Sequence, residues 1–473
     1  MKGWLIPLLF IVLPSIVQAQ DSIKLELLHR HAPQLHARPK TQHERLKDLV
    51  HHDFIRHNRR QAWETPKTTT ATASKTNAAI QMPLSAGRDF GIGQYVTTFK
   101  VGTPSQKFRL IVDTGSDLTW INCRYRCARG DNCTTQERGI KRGRVFRAHL
   151  SSSFRPIPCF SQMCKVELRN LFSLTICPTP LTPCAYDYRF NSLKLVLNRY
   201  IDGSDAMGVF AKESVTVGLT NSRMARLHDV LIGCSDSSQG RTVKNVDGVL
   251  GLANSKYSFV TKAAERWGGK FSYCLVDHLS HINASNYLIF GANNNQLTVL
   301  GNTRYTRLEL NLVSFSYAVN VQGISIGGKM LDIPLQVWDT RKGGGTILDS
   351  GTSLSFLTDP AYQPVMAAIK MSVSKYPQVK LHGVPMEYCF NSTGFDETLV
   401  PKLIIHFADG ARFEPHWRSY VISAADGVRC LGFLPARFPS VSVIGNIMQQ
   451  NYLWEFDLEG NKLRFAPSSC TTR

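Results

Sequence analysis

From Met82 onward, apolar and polar residues alternate in short runs: QYVTTFKV, FRLIVDT, ESVTV, NYLIF, YAVNV, TILDS and KLIIHF. A period of two matches a strand, whose successive side chains point to opposite faces. Turn residues separate the runs. AYQPVMAAIKMSV (361–373) is the clearest stretch with helical spacing. The pattern predicts an all-β body of about 390 residues with few short helices, too large for one sandwich.

Upstream the texture differs. Residues 1–20, MKGWLIPLLFIVLPSIVQAQ, have a charged start at Lys2, an apolar run from Leu5 to Val17 and small residues at the end. That is the layout of a secretory signal, read as residues 1–19. Pro7 and Pro14 interrupt the run, which is too short to span a bilayer. Residues 20–81 form a basic leader with helical spacing in LKDLVHHDFIRH, closing on the low-complexity tract TPKTTTATASKTNAA. Such a tract reads as a flexible, cleavable linker. From Asp21 to Ile80 there are 11 Lys+Arg, 6 Asp+Glu and 7 of the chain's 14 His. Histidine titrates near pH 6.5, so this stretch gains charge on acidification, which suits a pH-released plug. A plain disordered tether is the competing reading.

Composition narrows the class. With 43% apolar and 19% charged residues in 473, a large buried core is available. The formal charge of +20 falls to +14 when signal and leader are set aside, with 43 Lys+Arg against 29 Asp+Glu. Much of the excess lies in RYRCARGDNCTTQERGIKRGRVFRAH, which reads as a solvated loop or as a patch for acidic polymers. Zinc-finger, RRM and P-loop patterns are missing, so nucleic-acid chemistry is not expected. Twelve cysteines, an even number, fit disulfides in an oxidising compartment better than a metal site. Spacing alone fixes no connectivity. Sequons at Asn132, Asn283 and Asn391 are glycosylation candidates.

The chemistry lies in an internal echo. Ile111-Val112-Asp113-Thr114-Gly115-Ser116 returns 236 residues later as Ile347-Leu348-Asp349-Ser350-Gly351-Thr352. Each copy is followed at a distance by two apolar residues and a glycine, Val249-Leu250-Gly251 and Val443-Ile444-Gly445. Two related lobes, each donating one equivalent element to a shared cleft, would produce this. An apolar strand delivers the Asp into a low-dielectric place. Gly permits a tight turn that brings backbone N–H groups to the carboxylate, and Ser116 and Thr352 offer hydroxyls to the outer oxygens. Two carboxylates meeting across a cleft do not both ionise cheaply, so one proton is shared between them. The ionised member then takes a proton from water while the protonated member polarises a carbonyl.

The stretches QYVTTFKVGTPSQKFRLIVDTGSDLTWINC, FAKESVTVGL, DGVLGLA, FSYCLVDHLS, GGGTILDSGTSL, EYCF, CLGF and VIGNIMQQNYLWEFD resemble the pepsin family of aspartic proteases, and within it the plant nepenthesin-like (atypical) branch. The likeness covers about residues 82–470, and LELLHRH fits the family's prosegment. It implies an all-β, bilobal pepsin-like fold with a cleft between pseudo-symmetric lobes, divided here as 82–300 and 301–473. It implies that Asp113 and Asp349 are the catalytic pair, that Thr114 and Ser350 lock the two loops together, and that Ser116 and Thr352 support the outer oxygens. Trp120 matches the indole that supports a flap tyrosine, and Tyr200 matches that tyrosine. Cys123, Cys127, Cys133, Cys159, Cys164, Cys177 and Cys184 fall in the branch's cysteine-rich insertion. Cys234, Cys274, Cys389, Cys430 and Cys470 follow, and the resemblance pairs Cys389 with Cys430. One departure stands out: CAYDYR is separated from YIDGS by FNSLKLVLNR (190–199), and removing those ten residues restores CAYDYRYIDGS. A real insertion there would unsettle the register of Tyr200.

The expected function is an aspartic endopeptidase, made as a secretory zymogen and acting on protein or peptide substrates at acidic pH. It is expected to work as a monomer, without cofactor, metal or stable membrane anchor, in the extracellular or wall space, with vacuole or plastid as alternatives. The rival from the binding class is a catalytically impaired pepsin-like binding or inhibitor protein. A two-carboxylate glycosidase is the other rival, but it has no need of the mirrored Asp-[Ser/Thr]-Gly.

Overall fold

The computed structural model describes strands 23–29 and 80–85, six positions between 43 and 53, and, with short gaps, residues 94–125, 144–187, 205–239, 246–277, 285–291 and 297–472. Regular structure among the described residues is mostly β-strand, with few short helices, as the alternating pattern predicts. Strand pairing follows that pattern closely: Tyr95–Val101 pairs antiparallel with Gln106–Asp113, with Val96 opposite Ile111 and Phe99 opposite Phe108. ESVTV is the far part of a longer strand, Asp205–Gly218, paired antiparallel with Met224–Gln239.

Two segments depart from the sequence reading. YAVNV is not one strand: Tyr317–Val319 pairs with Thr346–Asp349, whereas Val321–Ile326 joins a separate sheet through Leu403–Phe407. The second segment is an α-helix, Phe259–Trp267, that the sequence reading did not anticipate. Ser258 caps its first turn by accepting from the Thr261 N–H, and Phe259, Val260, Ala263 and Trp267 are buried. The anticipated helix runs Asp359–Ser372, starting two residues early because Asp359-Pro360 supplies a favourable first turn.

A six-stranded antiparallel sheet runs under both lobes in the order Ile23–His29, Ser285–Phe290, Lys270–Cys274, Tyr452–Asp457, Lys462–Thr472, Arg304–Glu309. Its middle pairing joins the lobes, with Phe271 opposite Phe456 and their rings stacked at 4.6 Å. The Cys274–Cys470 disulfide ties the same junction. The strand Ile23–His29 therefore forms one edge of this sheet, and its last residues, Leu27–His29, also pair with Tyr95–Thr97.

The part of the chain before Met82 makes a second contact. Positions 43, 44, 46, 47, 50 and 53 are helical. Leu46 and Val50 are buried in the core of the second lobe with Ile347, Leu354 and Phe356.

Among the described residues the cysteines pair as Cys123–Cys234, Cys159–Cys177, Cys164–Cys184, Cys274–Cys470 and Cys389–Cys430. The sulfurs of Cys159, Cys164 and Cys177 cluster within 4.8 Å, but all three are consumed in disulfides. Cys127, Cys133, Asn132, Asn283, Tyr200 and the 190–199 segment lie outside the described residues. Asn391 is exposed at the end of strand Cys389–Asn391. Among the described residues no helix is long and apolar enough to cross a membrane.

Candidate active site

The internal echo is a structural echo. Gly248–Gly251 lies parallel to the end of Gln106–Asp113, with Val249 opposite Ile111 and Gly251 opposite Asp113. Ser442–Gly445 lies parallel to Thr346–Asp349 in the same register, with Val443 opposite Ile347 and Gly445 opposite Asp349. The correspondence extends outward: Val249 also faces Trp120, and Val443 faces Phe356, which is 236 positions after Trp120. The Gly251 N–H donates to Thr119 Oγ1 at 3.1 Å, and the Gly445 N–H to Ser355 Oγ at 3.2 Å.

Glycine is required at both places by close approach. A Cβ on Gly251 would sit 2.6 Å from the Asp117 carbonyl oxygen, and one on Gly445 would sit 2.3 Å from that of Leu354.

Each carboxylate is held by its own loop in the same way. Asp113 Oδ1 accepts from the Gly115 N–H at 2.9 Å, and its Oδ2 from the Ser116 hydroxyl at 2.5 Å. Asp349 Oδ1 accepts from the Gly351 N–H at 2.9 Å, and its Oδ2 from the Thr352 hydroxyl. Asp113 is 2% exposed and Asp349 0%. Charge-assisted bonds of this kind keep a buried carboxylate in place.

The two loops are tied directly to each other. The Thr114 N–H donates to Ser350 Oγ at 3.1 Å, and the Ser350 N–H donates to Thr114 Oγ1 at 2.9 Å. Ser350 Oγ in turn donates to the Val112 carbonyl at 3.1 Å. The residues immediately after Asp113 and Asp349 are thus in mutual contact, so the structure brings both halves of the repeat to one place. Trp120 is fully buried in the first lobe, in a cluster with Tyr186 and Phe210. Tyr200 is not among the described residues, so Trp120 is placed without it.

Three residues that the sequence reading passed over belong to this neighbourhood. Asn446, directly after the second apolar-apolar-Gly, donates from Nδ2 to the Ser350 carbonyl at 2.9 Å. Gln94, 257 positions before its partner, donates to the Gly351 carbonyl at 3.3 Å. Asp117 follows Asp113-Thr114-Gly115-Ser116. The residue is only partly buried, but its Oδ1 is sealed from solvent and has no hydrogen-bond partner among the described residues. Burial, reinforced by the neighbouring Asp113 charge and opposed by the Ser255 hydroxyl, lifts its carboxyl to about 7. The only available signal was its adjacency to the motif, where a charged residue must enter a poorly solvated space.

Comparison with known proteins places the chain. A family model described as "Xylanase inhibitor N-terminal" matches residues 95–292, and one described as "Xylanase inhibitor C-terminal" matches 316–467. "Aspartyl protease family protein 2" of Arabidopsis thaliana is 32% identical over 394 residues, covering 81% of this chain and 73% of the relative. "Aspartic proteinase nepenthesin-1" of Nepenthes gracilis is 29% identical, covering 80% and 79%. Among solved structures, basic 7S globulin from soybean superimposes with a TM-score of 0.59 at 19% identity, covering 80% of this chain and 92% of that one. Conglutin gamma from lupine seeds gives 0.60 at 18% identity, covering 82% and 96%. At such identities these two speak for the fold alone. The mirrored, cross-tied Asp loops and the 32% relative lead to one conclusion: the chain belongs to the pepsin-like aspartic protease family, in its nepenthesin-like plant branch.

Proposed function

We propose that the protein is an aspartic endopeptidase that hydrolyses peptide bonds at acidic pH, with Asp113 and Asp349 sharing one proton and one water. The observation that carries this reading is the pair of reciprocal bonds between Thr114 and Ser350, which fastens two identically supported carboxylates to a common centre. In the resting state one Asp is ionised and the other protonated. The ionised Asp takes a proton from the water as its oxygen attacks the scissile carbonyl carbon, and the protonated Asp gives its proton to the carbonyl oxygen. Proton transfer to the amide nitrogen and collapse of the tetrahedral species then break the C–N bond, returning the pair to one shared proton. The Ser116 and Thr352 hydroxyls hold the outer oxygens, Oδ2, and the Gly115 and Gly351 N–H groups hold Oδ1, so each carboxylate keeps one orientation toward the water throughout. General acid–base action of this kind contributes about 10²–10⁴-fold.

In this reading residues 1–19 are a secretory signal and 20–81 a removable leader. The lobes are 82–300 and 301–473, and the substrates are proteins or peptides met as a monomer outside the cytosol. The description "Xylanase inhibitor" carried by the matching family models favours a second reading, a pepsin-like binding or inhibitor protein. One assay separates them. The purified chain is acidified between about pH 3 and 6, the carboxylate range, and protein digestion is followed with and without pepstatin. Pepstatin-sensitive cleavage that disappears in Asp113→Asn and Asp349→Asn supports the protease. A folded chain with no such cleavage supports the binding protein.

A further inference from the structure

The two catalytic loops are alike in sequence and bonding but not in surroundings. In the first lobe Gly115 is exposed and Ser116 and Asp117 are half-buried, whereas their counterparts Gly351, Thr352 and Ser353 are all buried. Part of the difference comes from the leader. Leu46, Val50 and Asp53 are spaced i, i+4 and i+7, which puts them along one face of a helix. The first two enter the apolar cluster that contains Leu354 and Phe356. Asp53, 1% exposed, reaches the loop backbone itself. Its Oδ1 accepts from the Ser353 N–H at 2.9 Å and its Oδ2 from the Leu354 N–H. Those two amides immediately follow Thr352, which holds the outer oxygen of Asp349.

Two successive N–H groups converging on one carboxylate form an anion-binding concavity. We propose that the second lobe carries a carboxylate-binding site at the Ser353 and Leu354 amides, flanked by an apolar helix seat. Its ligand is Asp53 of the chain's own leader, which thereby acts as a positioning residue for the loop bearing Asp349. The first lobe has no leader contact of this type among the described residues. The leader therefore braces one catalytic loop selectively, and its departure uncovers two buried donors beside Thr352. A carboxylate presented by an amphipathic helix is the chemistry that refills the site. The effect on catalysis rests on the protease reading, but the contact itself does not.

Amide hydrogen exchange in the full chain at neutral pH tests this without reference to activity. Asp53→Ala should speed exchange at Ser353 and Leu354 by on the order of 10- to 100-fold, as loss of bonds to a charged acceptor implies. The Gly115–Leu118 loop should be unchanged. Acetate at tens of millimolar should restore protection, since it returns a carboxylate to the vacated place. Should Asp53→Ala fail to fold, Asp53→Asn keeps the shape, keeps only one acceptor oxygen, and should lose protection at one of the two amides. Unchanged exchange at both positions overturns the proposal. Faster exchange that acetate leaves untouched also overturns it, because the site would then not be specific for a carboxylate. The same measurements in an Asp113→Asn background separate failure of this site from failure of the protease reading.

Discussion

Replacing Asp117 by asparagine probes the electrostatics of the cleft most directly. The folded state lifts this carboxyl from 3.8 to about 7, through burial first and the Asp113 charge second. An acid whose folded pKa lies above its unfolded one binds its proton more tightly when folded. The stability linked to that proton is fully present below about pH 3.8 and is lost as the pH climbs through about 7. The separation of the two values corresponds to at most about 4 kcal/mol, all of it lost above neutrality. Asparagine is neutral at every pH and has the shape of the protonated acid. Asp117→Asn should therefore melt with the parent at pH 3.5 and above it at pH 8. For a chain of this size 4 kcal/mol translates to about 5 °C. Differential scanning calorimetry at the two pH values, with the disulfides intact, reads this difference. An identical offset at both pH values would show that Asp117 titrates normally and that its surroundings are wetter than its sealed Oδ1 implies.

Two further substitutions test the scaffold. Thr114→Val and Ser350→Ala each strip the acceptor from a buried N–H on the opposite loop, so each should cost about 1–3 kcal/mol. The double variant should cost less than the sum, because the reciprocal bonds belong to one network; additive losses in denaturant titrations would contradict the mutual tie. Gly445→Ala places a methyl 2.3 Å from the Leu354 carbonyl oxygen. It should lower stability by more than about 3 kcal/mol, since the obstacle is backbone that cannot rotate away; a normal melting temperature would refute the close approach.

The parts of the fold legible in the sequence were those carried by strict periodicity or by repetition. Alternation located strands such as Tyr95–Val101, Leu403–Phe407 and Ser285–Phe290 to within a residue or so. The doubled Asp-[Ser/Thr]-Gly marked both carboxylates because each needs the same turn, the same hydroxyl and the same parallel neighbour. The helix Phe259–Trp267 escaped because it is only 9 residues long, so its apolar face has little more than two turns in which to repeat. The break at Asn320 inside YAVNV escaped because alternation does not reveal which sheet a strand joins. Gln94, Asp117 and Asp53 were invisible for a related reason. Gln94 and Asp53 act through partners hundreds of residues away, and the state of Asp117 depends on solvent exclusion that only tertiary packing creates.

The pairing of Lys270–Cys274 with Tyr452–Asp457, stapled by Cys274–Cys470, has a mechanical corollary. The halves are not modules strung on a tether, because each supplies strands that complete the other's floor. A single backbone nick in the stretch joining them would leave two fragments still bonded through sulfur and still sharing one sheet. The two-fold repeat is thus locked into an object that can be cut without coming apart. A half expressed alone would expose an unpaired strand edge and an unmatched thiol.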